Sequence, residues 1–156
     1  MNLQLLIPVA FKNLHLKDEK DCVILAGDIG GTKANMLLSH YSKEGLKTIK
    51  EDRYASKDFH SFSDILKHFL QGQPQPDKIC LSVAGPVING KVKFTNLSWH
   101  IDAQEVSKHF SGSPVAILND LESTAYGLAG LKKEELTTSN KILSYFINVN
   151  QRKKYK

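Results

Sequence analysis

Three apolar segments separated by short turns constrain the fold of this chain more than any other feature. They cover residues 22–26, 34–38 and 46–54, and the third segment is more polar and partly alternating. Turns this short join antiparallel strands, because a parallel connection needs about a dozen residues or more. We therefore predict an antiparallel three-stranded meander whose first strand is buried and ends in a tight turn.

Helices and strands alternate after this meander. Residues 61–70 place four apolar side chains at helical spacing, which predicts a surface helix with one buried face. These four side chains are Phe62, Ile65, Leu66 and Phe69. Apolar runs predict further strands at 78–83 and 114–118, and a helix at about 122–131. This order predicts an α/β fold with a mixed sheet, an antiparallel three-stranded start and flanking helices.

Two local patterns lie between the predicted strands at 78–83 and 114–118. Asn89-Gly90 stands between two apolar pairs, which is the strongest short-range signal of a β-hairpin. Asp102 is followed three residues later by Glu105, a capping-box pattern that predicts the start of a helix running through Phe110.

Length and charge narrow the classes of function. The 156 residues are 41% hydrophobic and 24% charged, which excludes collagenous, low-complexity and disordered proteins and leaves room for one domain with a core. The formal net charge is +5, but four positive charges lie among the last five residues, at Arg152, Lys153, Lys154 and Lys156. The rest of the chain is nearly neutral, so its charge does not indicate a nucleic-acid partner.

The cysteines and the amino-terminal residues indicate a compartment. Cys22 and Cys80 lie in apolar runs without metal-ligand or redox spacing, so we predict two buried, unpaired thiols in a reducing environment. The apolar stretch 3–11 is short, contains Pro8 and has no basic residue before it. This is typical of neither a signal peptide nor a membrane span. We therefore expect a cytoplasmic protein with no membrane partner.

The first candidate site is the sequence Gly-Asp-Ile-Gly-Gly-Thr at 27–32. Paired glycines let the backbone approach a phosphate closely, and Thr32 adds a hydroxyl donor. Asp28 could hold the hydration shell of Mg²⁺, which keeps several waters and takes one or two carboxylates. An ordinary hairpin turn would use the same residues, so both interpretations stay open. The pattern matches neither a P-loop nor a dinucleotide fingerprint.

Two further polar clusters are candidates for chemistry. Asn119 and Asp120 follow a predicted strand directly, where α/β sheets present ligand-binding groups, and a carboxylate there can accept a proton from an attacking hydroxyl. The alternative is a helix N-cap. The cluster Thr-Asn-Leu-Ser-Trp at 95–99 suits hydrogen bonding to a polyol, although Trp99 also fits a core position. The histidines have no metal-ligand spacing, so we expect surface or core roles for them.

Four segments in this order resemble the amino-terminal half of the bacterial glucokinase family. They are Leu-Ala-Gly-Asp-Ile-Gly-Gly-Thr-Lys at 25–33, Ala-Gly-Pro-Val at 84–87, Thr-Asn-Leu-Ser-Trp at 95–99 and Leu-Asn-Asp-Leu-Glu-Ser-Thr-Ala-Tyr-Gly-Leu at 118–128. The resemblance implies the actin-like ATPase fold (ribonuclease H-like) that hexokinases share. The related ROK family carries a similar first motif, but its zinc-binding cysteines have no counterpart here.

The resemblance also implies an activity and a role for each candidate residue. The implied reaction transfers a phosphoryl group from ATP, with Mg²⁺ as cofactor, to glucose at the entry to glycolysis. Asp120 is implied to be the catalytic base that takes the proton of the sugar 6-hydroxyl. Substrate-binding roles are implied for Thr95, Asn96, Asn119 and Asp120. The first phosphate loop corresponds to Gly27, Asp28, Ile29, Gly30, Gly31 and Thr32.

The resemblance further suggests domain boundaries. We expect an amino-terminal extension at 1–21, a glucokinase-like domain at 22–140 and a divergent basic tail at 141–156, with the second domain absent. Because kinases of this type bind nucleotide between two domains, we expect a truncated or frame-shifted form with little or no activity alone. Apolar surface left uncovered would favour a homo-oligomer. The alternative function is a non-catalytic sugar-binding or regulatory domain.

Overall fold

The first three strands form an antiparallel meander that makes up one half of a five-stranded sheet. In the computed structural model, which describes residues 20–130, these strands are β1 (Cys22–Ile29), β2 (Lys33–Ser42) and β3 (Gly45–Ala55). β1 pairs antiparallel with β2, and β2 pairs antiparallel with β3. The predicted meander is confirmed. Each strand is longer than predicted, because residues that flank the apolar runs also join the hydrogen-bonded ladder.

The other half of the sheet is parallel. After a 3₁₀ turn (Ser56–Asp58), the chain forms α1 (Phe62–Leu70), β4 (Lys78–Val83), β5 (Lys91–Lys93), β6 (His100–Asp102), α2 (Ala103–His109), β7 (Val115–Asn119) and α3 (Asp120–Gly130). β4 pairs parallel with both β1 and β7, which gives the strand order β3-β2-β1-β4-β7. The described residues therefore confirm the predicted α/β fold with a mixed sheet.

Helix α1 covers one face of this sheet. The Ser61 hydroxyl caps the helix by accepting a hydrogen bond from the Asp64 main-chain amide at 3.2 Å. All four apolar residues that predicted this helix are buried and pack in the core with side chains of β1, β2 and β4. The predicted single buried face of α1 is confirmed.

The chain between β4 and α2 forms its own small ladder. Asn89 and Gly90 have positive φ angles of 51° and 71°, as a two-residue hairpin turn requires, which confirms the predicted turn. The predicted first arm contributes only one bridge, from Ile88 to Lys91. β5 pairs instead with β6, a strand that local pattern did not predict, and this pairing joins the buried Val92 to the buried Ile101.

One cysteine prediction is wrong. Cys22 is buried as expected, but Cys80 is exposed. Residues of β4 point alternately to opposite faces, so Ile79 and Leu81 enter the core while Cys80 lies on the other face. Partial burial nevertheless raises the pKa of the Cys80 thiol.

Several sequence predictions lie outside the described residues. These are the apolar stretch 3–11, most of the extension 1–21, the end of the last predicted helix at Leu131, the basic tail 141–156 and the boundary at 140. Among residues 20–130, no helix is both long and apolar enough to cross a lipid bilayer.

Candidate functional site

The three parallel strands end in register at one edge of the sheet. Ile29 of β1 pairs with Val83 of β4, and Val83 pairs with Asn119 of β7. The Ala84 main-chain amide also donates a hydrogen bond to the Ile29 carbonyl at 3.1 Å. The segments that follow these strands therefore leave from the same edge, which is where α/β sheets bind ligands. They contain three of the four motifs singled out in the sequence.

The turn after β1 offers free main-chain donors. The Gly30 amide donates to the Lys33 carbonyl at 2.8 Å and closes a tight turn over Gly31 and Thr32. Within residues 20–130, the N–H groups of Gly31 and Thr32 donate to no protein acceptor. Neither Gly30 nor Gly31 has a positive φ, so both glycines provide space rather than an unusual backbone conformation. This is the hairpin turn that the sequence left open, and its free N–H groups can also bind an anion.

Three residues of the implied phosphate loop, Gly27, Asp28 and Ile29, lie within β1 instead. Ile29 is fully buried in the core. Gly27 is also buried, and a Cβ at this position would lie 2.9 Å from Cδ2 of Leu81. Gly27 therefore permits close packing of β1 on the core. Only the segment from Gly30 to Thr32 forms the turn between β1 and β2.

Asp28 is the one acidic residue of this loop. Its side chain is exposed, and the Asn35 side-chain amide of β2 donates to its Oδ2 at 3.2 Å. A single carboxylate fits Mg²⁺, which usually keeps several waters. In the described part of the chain, no cluster of three or more His, Cys, Asp or Glu side chains is placed to hold a metal ion.

Thr95 and Asn96 lie in the loop between β5 and β6, and both are exposed. Trp99 anchors this loop, because its buried indole donates to the Phe59 carbonyl at 3.1 Å and packs edge-to-face on Phe94. The interpretation of Trp99 as a core residue is confirmed. A Cβ on Gly31 would lie 3.8 Å from the Asn96 Cβ. The fold therefore brings Asn96 against the turn after β1.

Asn119 and Asp120 form the junction between β7 and α3. Oδ1 of Asn119 accepts from the Leu121 amide at 3.0 Å, and Oδ1 of Asp120 accepts from the same amide at 2.8 Å. The capping alternative is therefore confirmed for Asn119, which precedes α3 and accepts from the amide two residues on. Asp120 is the first residue of α3 and bonds only the amide of the next residue. The side-chain amide of Asn119 also donates to the Gly85 carbonyl at 2.9 Å. Asp120 is exposed, and the bond to the Leu121 amide engages only one of its two carboxylate oxygens, so this bond is compatible with proton transfer.

Sequence reasoning missed the contacts that support these residues. Asn35 beside Asp28, Gly85 beside Asn119 and Ser56 beneath the turn after β1 come from distant or unremarkable positions. No local pattern marks a single serine after an alternating strand. Asn119 is separated from the end of β1 by two strand spacings, roughly 10 Å. The polar residues thus surround an open edge of the sheet.

Sequence comparison with known proteins finds similarity to glucokinases. A sequence model of the family described as Glucokinase matches residues 25–144. A glucokinase of Nostoc punctiforme is 37% identical over 117 residues, which is 73% of this chain and 34% of that protein. The chain spans about a third of the length of the curated relatives it matches.

Solved structures share the fold. The crystal structure of a glucokinase from an Antarctic psychrotroph has a TM-score of 0.66 and 32% identity, covering 74% of this chain and 37% of that one. A glucokinase from Balamuthia mandrillaris, solved in complex with glucose, has a TM-score of 0.51 and 20% identity, covering 80% of this chain and 35% of that one.

Proposed function

Because this chain belongs to the glucokinase family, we propose that it supplies the sugar-binding and first phosphate-binding part of a site that transfers a phosphoryl group from ATP to the 6-hydroxyl of glucose. The actin-like ATPase fold (ribonuclease H-like) that the resemblance implied is confirmed by the likeness to a solved glucokinase. The proposal includes a glucokinase-like domain at 22–140 and a cytoplasmic location. It is carried by one observation, the common sheet edge at which β1, β4 and β7 end.

The turn after β1 is proposed to hold phosphate groups of the nucleotide. Its support is the pair of unpartnered N–H groups on Gly31 and Thr32, together with the exposed Thr32 hydroxyl. Phosphoryl transfer needs little covalent chemistry from a protein and depends on positioning and charge stabilisation. Mg²⁺, when bound, would neutralise charge on the phosphates. Asp28, oriented by Asn35, would accept hydrogen bonds from its water ligands.

Asp120 is proposed to act as the base. In this reaction the sugar 6-oxygen bonds to the γ-phosphorus, the bond to the bridging oxygen of ADP breaks, and the hydroxyl proton moves to the Asp120 carboxylate. The exposed side chain at the start of α3 supports this role, and general-base catalysis contributes about 10²- to 10⁴-fold to a rate. Thr95, Asn96 and Asn119 are proposed to hydrogen-bond other sugar hydroxyls, which would penalise sugars that lack them.

The test combines turnover with binding on the 156-residue chain. Glucose 6-phosphate formation is measured with Mg-ATP in a coupled assay, and glucose binding is followed by NMR. Asp120→Asn should lower turnover by about 10²-fold or more while leaving glucose affinity within a few-fold. Glu122→Gln, an exposed carboxylate in the same helical turn, should change neither.

The outcomes separate the alternatives. Turnover that survives Asp120→Asn would contradict the assignment of the base. Glucose binding without either turnover or Mg-ATP binding in the unmodified chain would support a non-catalytic sugar-binding domain instead. A folded chain that neither binds glucose nor forms glucose 6-phosphate would contradict the proposal as a whole.

A further inference from the structure

Ser56 lies directly after β3, in the 3₁₀ turn, and is fully buried. Its hydroxyl donates to the Gly30 carbonyl at 2.9 Å, and its main-chain amide donates to the Thr32 carbonyl at 2.9 Å. One residue therefore donates hydrogen bonds to two carbonyls of the turn after β1. It lies 26 positions after Gly30 in the chain. The pattern of the sequence assigned no role to this serine.

Peptide geometry turns the bond to the Gly30 carbonyl into a constraint on one free donor of the turn. The peptide group is planar and trans, so the Gly30 carbonyl and the Gly31 N–H belong to one plane and point in opposite directions. A carbonyl directed at Ser56 therefore directs the Gly31 N–H away from it. The glycines have no side chain with which to restrict this plane themselves. The orientation of the free donor thus depends on a contact from outside the turn.

Burial explains why the contact is well defined. Ser56 is 0% exposed, so its hydroxyl has no access to bulk water, and an unsatisfied buried hydroxyl is costly. The Gly30 carbonyl satisfies it. Rotating the 30–31 peptide would therefore break a buried hydrogen bond. The hydrogen bond therefore holds the 30–31 peptide plane in one orientation even without a ligand.

We propose that Ser56 is a positioning residue for phosphate recognition, because it fixes the 30–31 peptide plane and so aims the Gly31 N–H at the bound phosphate. The inference rests on the proposed phosphate role of the turn. Ser56 itself touches no ligand, since it lies beneath the turn in the core. Its removal should therefore weaken nucleotide binding selectively.

The test compares Ser56→Ala with a matched serine elsewhere. Ser113 also donates its hydroxyl to main-chain carbonyls, those of Pro76 at 2.8 Å and Phe110 at 2.7 Å, but it joins α2 to β7 away from the turn. Affinities of the 156-residue chain for Mg-ATP and for glucose are measured by calorimetry, and the Gly31 amide is followed by NMR. Ser56→Cys serves as a second variant, because a thiol fills a similar space but is a weaker donor.

We expect Ser56→Ala to lower Mg-ATP affinity about tenfold, the effect of losing one hydrogen bond, and to shift the Gly31 amide resonance. Glucose affinity should stay within twofold, and Ser113→Ala should change neither affinity. Ser56→Cys should give an intermediate loss of Mg-ATP affinity. This variant tests the positioning role if the alanine variant does not fold. Equal Mg-ATP affinity in both Ser56 variants and the unmodified chain would overturn the positioning role alone. No Mg-ATP binding by the unmodified chain would overturn the phosphate role of the turn.

Discussion

The side-chain amide of Asn119 donates a hydrogen bond of 2.9 Å to the main-chain carbonyl of Gly85, across the ends of β7 and β4. The carbonyl oxygen of the same side chain accepts from the Leu121 amide in the first turn of α3. One side chain therefore fixes the loop after β4 relative to the helix that carries Asp120. The implied sugar contact of Asn119 would have to use its remaining donor and lone pair.

Asn119→Ala and Asn119→Asp separate the two bonds of this side chain. Alanine removes both, so we expect the free energy of unfolding to fall by about 1–2 kcal/mol. Aspartate keeps an acceptor for the Leu121 amide but cannot donate to Gly85, so it should be destabilising as well. Urea denaturation measures both values. An aspartate variant as stable as the unmodified chain would mean that the bond to Gly85 adds no stability.

Gly27→Ala should lower the stability of the fold, whereas Gly31→Ala should leave it nearly unchanged. A Cβ at position 27 would lie 2.9 Å from Leu81, so we expect a loss of about 1–3 kcal/mol in stability from overpacking. A Cβ at position 31 meets only Asn96 at 3.8 Å, so the stability should change by no more than about 0.5 kcal/mol. If phosphate occupies the space above the turn, Gly31→Ala should lower Mg-ATP affinity about tenfold. Thermal unfolding and calorimetry test the pair, and unchanged affinity would contradict the proposed use of this space.

The ion pair between Lys91 and Asp102 should make the small ladder sensitive to acid. The Lys91 ammonium lies 2.7 Å from Oδ2 of Asp102, and with the Gln104 amide it holds the pKa of that carboxyl below its usual value of 3.8. A lowered pKa favours the charged form in the folded state. Its contribution is therefore present above about pH 4 and is lost as the pH falls through the folded-state pKa.

We expect Asp102→Asn to be less stable than the unmodified chain at pH 7, and the difference to disappear at low pH. Asparagine can still cap the Gln104 amide, so the comparison isolates the charge. Lys91→Met should reduce the same difference, which a double-mutant cycle across the pH range would measure. A stability difference that stays constant from pH 7 to pH 2 would exclude this origin.

Local sequence patterns predicted most of the helices and strands. The features that these patterns missed depend on contacts between residues that are distant in sequence. The four apolar residues of α1 lie within one helix, so their spacing alone predicted both the helix and its buried face. Cys80 was predicted wrongly, because a short apolar run does not tell whether one or both faces of a strand are covered. The pairing of β5 with β6 depends on the burial of Val92 against Ile101, which no local signal carries.

The residues of the candidate site were predictable from the sequence, but the residues that they contact were not. Its residues came from motifs and resemblance, and the register of Ile29, Val83 and Asn119 explains why motifs far apart in sequence meet at one edge. The partners of these residues were not predictable, since Ser56 and Gly85 belong to unremarkable stretches. A hydrogen bond between residues 26 or 34 positions apart depends on the completed sheet.

Tyr54 should make the fold sensitive to alkali. Its buried ring packs edge-to-face on Phe59, and its hydroxyl donates to Oδ2 of Asp52 at 3.0 Å. Burial and this carboxylate raise the pKa of Tyr54 to about 12, from a usual value of 10.0. A raised pKa favours the protonated phenol in the folded state, so this contribution to stability is complete below pH 10 and is lost as the pH rises towards 12.

Tyr54→Phe tests this contribution directly. It removes the hydrogen bond to Asp52, so we expect a loss of about 1 kcal/mol at pH 7. It also removes the ionisable group, so the difference from the unmodified chain should shrink between pH 10 and pH 12. Tyr126→Phe, on the exposed side of α3, provides the control and should leave the pH profile of stability unchanged. Because lysines also titrate in this range, only the difference between variant and unmodified chain is informative. A difference that does not change above pH 10 would show that Tyr54 does not ionise with unfolding there.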